Sequence, residues 1–224
     1  MSAEVKPAAE LSPIDAKGKG VRVQFYWVDD RFRHVIDAVG PDNAVRILES
    51  IEGDGEQAWP LSPPYQHLTA NVKDSGEPVI LVTGSAGDCH WSMAIEVAVQ
   101  TFTEDARTNY FGSGLQSIEP VPFLLFDVAC RIKSEPSWLG SSFRAPNGRE
   151  CSETGPFVFA EDWILGPRLN FVDPDRPEVI RECRSKIVRS AEGSEIVQVT
   201  PPEHRVIRPP ATVRWTYGVF AHNP

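Results

Sequence analysis

The densest group of reactive residue types is Asp88-Cys89-His90-Trp91, which Glu96 follows along the chain. A thiol beside an imidazole is the composition of a Cys–His nucleophile pair. Adjacent residues of an extended strand point to opposite faces, so Cys89 and His90 cannot hydrogen-bond to each other if this segment is a strand. His90 then shares a face with Glu96. We therefore expect Asp88, His90 and Glu96 to contribute to a ligand-contacting patch.

The tryptophans divide by their position relative to the predicted strands. Three of them alternate with core-type residues and are predicted to fill the interior, namely Trp27, Trp91 and Trp215. Three others lie near predicted loops and are candidates for an exposed ligand-binding surface, namely Trp59, Trp138 and Trp163. Exposed aromatic rings of this kind are typical of sandwich domains that bind sugars.

Several catalytic and cofactor-binding motifs are missing. Gly84-Ser85-Ala86-Gly87 follows an apolar run, but an alternating segment comes next, where a phosphate-binding loop needs a helix N-terminus. Neither Gly112-Ser113-Gly114 nor Gly140-Ser141-Ser142 matches the G-x-S-x-G elbow of serine hydrolases. The five histidines are isolated, and no two of the four cysteines form a C-x-x-C pair. We therefore predict no cofactor, no metal and reduced cysteines.

Carboxylates leave a catalytic alternative open. A glycosidase needs two carboxylates a few ångströms apart, and Glu96, Asp127, Glu161 and Asp162 are candidates. An acidic sequence contains such residues by chance, and only the fold decides which of them meet. A β-sandwich hydrolase acting on a sugar or an ester, with the patch around His90 near its cleft, therefore stands as one alternative.

Alternation of apolar and polar residues predicts the strands that must position these side chains. Residues 21–27 and 32–38 flank a short turn and predict a hairpin. The most regular alternation covers residues 91–99 and 126–133. Residues 78–83 form a continuous apolar run, which predicts a strand buried on both faces.

Other segments have less regular patterns. Further predicted strands cover residues 42–52 (with a short helix as the alternative), 157–165, 186–190, 195–200 and 213–219. Residues 65–72 are predicted as a short helical turn, and residues 176–183 as a helix. The three prolines of Trp59-Pro60-Leu61-Ser62-Pro63-Pro64 exclude a helix or a central strand. We expect this segment to cross the surface as polyproline II, held by Trp59 and Leu61.

These elements together predict an all-β fold. Many short strands and few helical patterns favour an antiparallel β-sandwich or a flattened barrel with few short helices. Residues 1–20 have little apolar content and are predicted as a flexible N-terminal lead-in, followed by a single β-rich domain over residues 21–224. Of the 20 prolines, seven lie in three clusters between predicted strands, at residues 60–64, 201–202 and 209–210.

Three segments carry a family resemblance: Trp59-Pro60-Leu61-Ser62-Pro63-Pro64, residues 84–96 and Phe126-Asp127-Val128-Ala129-Cys130-Arg131. Through them, and over most of its length, the chain is similar to an uncharacterised family of bacterial proteins of planctomycete type. The resemblance implies no activity and no site residues.

Charge and hydropathy argue against two classes of partner. With 31 acidic and 22 basic residues the formal charge is −9, and no basic run matches a nucleic-acid-binding patch. No stretch approaches the roughly 18 consecutive apolar residues of a membrane span. Residues 1–20 also lack the apolar region of a secretory signal, so we expect a cytoplasmic protein with neither a nucleic acid nor a membrane as partner.

The function predicted from the sequence is that of a non-enzymatic domain that binds a protein partner or a small ligand. Besides the hydrolase, a structural or assembly subunit is the remaining alternative. Such a subunit would present an unpaired sheet edge to a copy of itself and form a homo-oligomer.

Overall fold

The computed structural model describes residues 6–53, 57, 59–100, 120–146, 150–154, 157–160, 163–167, 183–190, 193–202 and 208–221. These residues form fifteen strands and no helix. The strands are β1 (Ala9–Leu11), β2 (Gly20–Val28), β3 (Arg31–Val39), β4 (Ala44–Ser50), β5 (His67–Val72), β6 (Pro78–Ala86), β7 (Cys89–Gln100), β8 (Val121–Ile132), β9 (Ser141–Arg144), β10 (Ser152–Thr154), β11 (Phe157–Ala160), β12 (Trp163–Gly166), β13 (Arg184–Arg189), β14 (Glu195–Thr200) and β15 (Ala211–Ala221).

The strands form two antiparallel sheets packed face to face. The seven-stranded sheet has the order β1-β2-β3-β4-β9-β14-β13, and the eight-stranded sheet has the order β10-β11-β12-β15-β8-β7-β6-β5. The two sheets do not close into a barrel. The all-β prediction is therefore confirmed, and of its two forms the β-sandwich is the one observed.

The core lies between the sheets and follows from the alternation of each strand. Val23 and Phe25 of the seven-stranded sheet are fully buried, as are Phe126 of β8 and Tyr217 of β15. The rings of Phe126 and Tyr217 stack with centroids 4.8 Å apart. Burying each such side chain contributes about 1.5–3 kcal/mol. Alternate residues of the same strands face outward, which leaves the outer face of the eight-stranded sheet free to carry polar side chains.

The predicted flexible lead-in over residues 1–20 contains a strand in the part that the structure describes. Ala9 and Leu11 are buried, and they pair with Phe25 and Val23 as the short strand β1. An apolar residue on either side of Glu10 is too short a pattern to be recognised as period-2 alternation. Pairing with β2 supplies the stability that this local sequence lacks.

The region before β7 also differs from the prediction. Residues 67–72, predicted as part of a helical turn, form β5 at the edge of the eight-stranded sheet. β6 is not buried on both faces, because Leu81 is 40% exposed and Thr83 is exposed beside this edge strand. The hydrophobicity of β6 shows that it is a strand but does not show whether a layer covers its outer face.

Two predictions concern the second half of the chain. Residues 157–165 contain two strands, β11 and β12, which pair with each other as an antiparallel hairpin. The predicted helix at residues 176–183 lies outside the described residues, except for Cys183.

The proline segment is more deeply placed than predicted. Pro60, Ser62 and Pro63 are buried, whereas Leu61 is 40% exposed and does not hold the segment down. Ser62 does: its hydroxyl donates to the carbonyl of Ser142 at 3.0 Å and accepts from the Ser142 amide at 2.9 Å. The segment is therefore held by hydrogen bonds between the Ser62 hydroxyl and the Ser142 backbone, where the sequence pattern indicates apolar contacts of Leu61.

Candidate functional site: a polar groove on the eight-stranded sheet

A groove of about 440 Å³ crosses the outer face of the eight-stranded sheet, over β5, β6, β7, β8 and β15. We call it the polar groove. Its lining consists of Gln66, His67, Thr83, Gly84, Ser85, His90, Trp91, Ser92, Ala129, Arg131 and Thr212. Trp91 points into the core, where it is 2% exposed, so the groove contains no exposed aromatic ring.

The strand register arranges the outward side chains in two rows that run across the strands. One row is Ser85, His90, Arg131 and Thr212, each directly opposite the next. The other row is His67, Thr83, Ser92 and Ala129. Directly opposite residues lie about 5 Å apart. The rows therefore place the His90 imidazole directly beside the Arg131 guanidinium, with the hydroxyls of Ser85 and Thr212 in the same row, whereas the His67 imidazole lies two strands away from His90.

The β5 end of the groove is held by a side-chain amide and a close backbone contact. The Gln66 amide accepts from the Ser85 backbone N–H at 2.8 Å and donates to the Ser85 carbonyl at 3.2 Å. Beneath it, a Cβ on Gly84 would lie 1.7 Å from the Pro64 carbonyl oxygen. Only glycine allows the end of the proline segment to pass this close under β6.

The polar groove is a cationic site on an acidic protein. Among the described residues no Asp or Glu lines it, and Arg131 forms no ion pair with any of their carboxylates. Arg214 lies two residues after Thr212 in β15 and therefore on the same face of the sheet. Unlike Arg131, its guanidinium is paired with a carboxylate, that of Asp127. Arg131 is therefore a guanidinium without an ion-pair partner among the residues that the structure describes.

The structure separates the three residues predicted to form a patch. His90 lies in the polar groove, opposite Ser85 and Arg131. Asp88 is exposed in the turn before β7 and does not line the groove. Glu96 is at the other end of β7, where its carboxylate binds the Lys73 ammonium at 2.8 Å. No carboxylate among the described residues hydrogen-bonds to His90.

Cys89 lies under the groove and faces the core, on the opposite face from His90. It is 1% exposed, and burial raises the pKa of its thiol. Burial likewise raises the pKa of the neighbouring Cys130 thiol. A thiol with a raised pKa is a poor nucleophile, so the adjacency of Cys89 and His90 in sequence does not produce a catalytic pair.

The tryptophan predictions need correction in two places. Trp163 is completely buried, so it cannot contribute to an exposed surface. Trp27, predicted in the interior, is 51% exposed and packs edge-on against Phe32. Trp59 and Trp138 are half-buried beside the proline segment, and the Trp138 indole donates to the Leu61 carbonyl at 3.4 Å. The alternation of apolar and polar residues predicts on which face of a strand a side chain lies. It does not predict whether other residues cover that part of the face.

Arg131 and the hydroxyl residues of the groove were not predicted. Arg131 is within an alternating segment whose strand was predicted, so its outward direction could have been inferred. Its position opposite His90 could not, because strand pairing between distant segments is absent from one sequence. Thr212 likewise reaches the groove only through the pairing of β15 with β8.

A second, smaller pocket of about 250 Å³ lies at the tip of the β2–β3 hairpin, beside Arg31, Arg33 and Glu52. Burial raises the pKa of Glu52 to about 7, against opposing effects of the Ser50 hydrogen bond and of Arg33 and Arg31. Its Oε2 atom is inaccessible to solvent and has no hydrogen-bond partner in the described structure. An inaccessible oxygen cannot contact a ligand, so the raised pKa of Glu52 bears on stability rather than on binding.

The fold and the groove define a β-sandwich with a cationic surface site. In the described residues, no three His, Cys, Asp or Glu side chains are placed to hold a metal, and no helix is long and apolar enough to cross a membrane. No protein-family model, curated protein or solved structure matches the chain. The resemblance to a bacterial family therefore stays a prediction.

Proposed function

We propose that this protein is a binding module whose polar groove takes a small ligand bearing a carboxylate or phosphate group. The observation that carries the proposal is the unneutralised cationic lining. Arg131, which has no ion-pair partner among the described residues, lies directly opposite His90 in a groove that no described Asp or Glu lines, on a chain with a formal charge of −9.

The chemistry of these side chains suits an oxyanion. A guanidinium presents paired N–H donors that match two oxygens of a carboxylate or phosphate. The imidazole of His90, directly opposite Arg131, can donate to the same group. The hydroxyls of Ser92 and Thr83 are then available for the polar remainder of the ligand. Because the groove is open to solvent, we expect weak binding that weakens further with added salt.

The same lining favours binding over hydrolysis. In the part of the chain that the structure describes, no carboxylate lines the groove to act as nucleophile or general base, and no hydroxyl is hydrogen-bonded to His67 or His90. A hydroxyl nucleophile requires such a base within hydrogen-bond reach.

The proposal is tested with three ligands that share one sugar ring: glucose 6-phosphate, glucuronate and glucose. Titrations followed by backbone amide chemical shifts should show the two anions binding at β6, β7 and β8, and glucose binding at least tenfold more weakly. R131Q should weaken anion binding roughly tenfold. The matched control R214Q removes an arginine of the same face that already has a carboxylate partner, and should leave affinity almost unchanged.

Equal binding of glucose and its charged analogues would contradict the proposal. So would equal effects of R131Q and R214Q, since a general surface charge would then account for the binding. The absence of shifts in the groove with all three ligands would likewise count against an anion site.

A further inference from the structure

The four edges of the two sheets are protected unequally. β1 and β10 are only three residues long. β13 carries Arg184, Lys186 and Arg189, and the backbone N–H of Ile187 donates to the Glu153 carboxylate. Short strands, charged side chains and capped backbone groups are the means by which proteins prevent pairing at sheet edges. Three of the four edges therefore carry protection against another strand.

β5 carries none of these protections. It is six residues long and has the sequence HLTANV, without Lys, Arg, Asp, Glu or Pro. Five of its six residues are exposed, including Val72 at 68%. Its register with β6 is continuous from His67 to Val72, without a bulge. In the described structure, no strand is hydrogen-bonded to its other side.

The hydrogen bonds of β5 show which backbone groups are unpaired. The Lys73 amide donates to the Glu77 carbonyl, immediately beyond the strand. In an antiparallel pair, residues alternate between those that bond to the neighbour and those that point away. By this alternation Asn71, Thr69 and His67 bond to β6. The N–H and C=O groups of Leu68, Ala70 and Val72 therefore point outward.

We propose that β5 pairs antiparallel with β5 of a second copy of this chain, about a two-fold axis at Ala70. In this register all three outward-pointing residues of each strand meet one another: Ala70 lies opposite Ala70 of the second copy, and Leu68 lies opposite Val72 of the second copy. Each of these residues then donates one backbone hydrogen bond and accepts one. The two eight-stranded sheets become one continuous sheet across the axis.

The side chains in this register complement each other on both faces. On the inner face, Leu68, which already packs on the core, meets the exposed Val72 of the second copy. On the outer face, Thr69 meets Asn71 of the second copy. Apolar residues are thus matched with apolar ones, and polar with polar, as stable cross-strand pairs require.

The ends of the strand are also compatible with this pairing. Pairing ends before Gln66, because its amide is held by the Ser85 backbone and the Phe32 N–H of β3 donates to the carbonyl of the preceding Tyr65. His67 lies opposite Lys73, whose ammonium is already bonded to Glu96 at 2.8 Å and lies 3.9 Å from Glu77. No unneutralised like charges face each other. Self-complementarity of this kind is the property of a two-fold interface, which favours a second copy over a different protein as the occupant.

The test compares the oligomeric state of the whole chain with that of β5 variants, by light scattering and sedimentation equilibrium at micromolar concentration. The wild type should be a dimer, and A70P a monomer. The Ala70 N–H points away from β6, so proline there removes a bond to the second copy and none within the sheet. Circular dichroism and the unfolding midpoint report whether A70P keeps its fold.

A matched pair of double variants tests the register itself. T69K/N71K places lysines opposite lysines across the axis, whereas T69K/N71E places lysines opposite glutamates. Both change the same two exposed residues. We expect the dimer dissociation constant to rise roughly tenfold or more in the first and to be unchanged or lower in the second.

A monomeric wild type would overturn the proposal. It would do so even if an unrelated extended peptide added to β5, because the proposed occupant is a second copy of this chain. A dimer that persists in A70P, or that responds equally to the two double variants, would place the interface elsewhere. Because these measurements need no ligand, they are independent of the anion-binding proposal.

Discussion

His34 places an ionisable ring in the middle of the core. Its imidazole stacks on Phe25 at 5.2 Å and meets Phe143 edge-on at 5.5 Å. Neither ring nitrogen has a hydrogen-bond partner in the described structure. Burial lowers the pKa of His34 from 6.5 to about 3, so the folded protein keeps this ring neutral. The unfolded chain binds a proton below about pH 6.5, and stability is therefore lost as the pH falls from 6.5 to about 3.

Glu52 has the opposite effect on stability. Burial raises its pKa from 4.5 to about 7, so the folded protein binds this proton more readily than the unfolded chain does. Stability therefore increases as the pH falls from about 7 to 4.5, and Glu52 has no further effect below that. Between about pH 6.5 and 4.5 the two residues oppose each other, and below 4.5 His34 acts alone.

Substitution of these residues should separate the two effects. H34F should remove the loss of stability at acidic pH. In the wild type this loss amounts to about 2 kcal/mol of unfolding free energy between pH 4.5 and 3. E52Q should remove the opposing effect, so its stability should begin to fall near pH 6.5 instead of near 4.5. Urea unfolding of the three proteins across this pH range measures each effect. Parallel pH profiles for the wild type and H34F would show that His34 is not responsible.

At the scale of elements, Ser62 connects the proline segment to the centre of the smaller sheet. β9 lies between β4 and β14 but shares only two register pairs with β4. Ser62 completes the bonding of Ser142 in this strand, and the Ser142 hydroxyl donates to the Leu61 carbonyl at 2.8 Å. A side chain thus takes the place of a missing part of the strand ladder.

S62A should therefore be costly although it removes a single atom. The buried Ser142 amide would lose its acceptor, and we expect a loss of about 1–3 kcal/mol in unfolding free energy. S75A is the matched control, because the Ser75 hydroxyl is exposed and bonds only to Glu77. Chemical denaturation of both variants measures the difference. Equal stability of S62A and S75A would mean that water replaces the lost bond.

Prediction from sequence succeeded where alternation is long. β2, β3, β7 and β8 were found because their inward residues repeat without interruption. β1 and β5 were missed because three residues, or a strand exposed on both faces, do not produce a period. The same limit applies to the candidate site: His90 was selected by its type, whereas Arg131 lies opposite it in the groove only because β8 lies beside β7. Residues from distant segments meet through strand order, which a single sequence does not contain.

At the scale of the molecule, the position of a strand in the sheet should decide how much the fold depends on it. β15 pairs with β8 from Ala211 to Phe220 and with β12 on its other side. Truncation after Pro210 should therefore abolish cooperative unfolding. Deletion of residues 1–12 removes only the short edge strand β1 and should lower stability while leaving one cooperative transition. Calorimetry distinguishes the two outcomes, and a cooperative transition in the first variant would contradict this view.

The central place of β15 also has a consequence for synthesis. Of the described strands, β15 emerges last from the ribosome, yet β12 joins β8 and the rest of the eight-stranded sheet only through it. Until then, the twelve-residue β8 has a long unpaired side rich in aromatic and aliphatic residues. Nascent chains with such edges are prone to associate with one another. We therefore expect the yield of native protein to depend on chaperone capacity and translation rate more than its final stability would suggest.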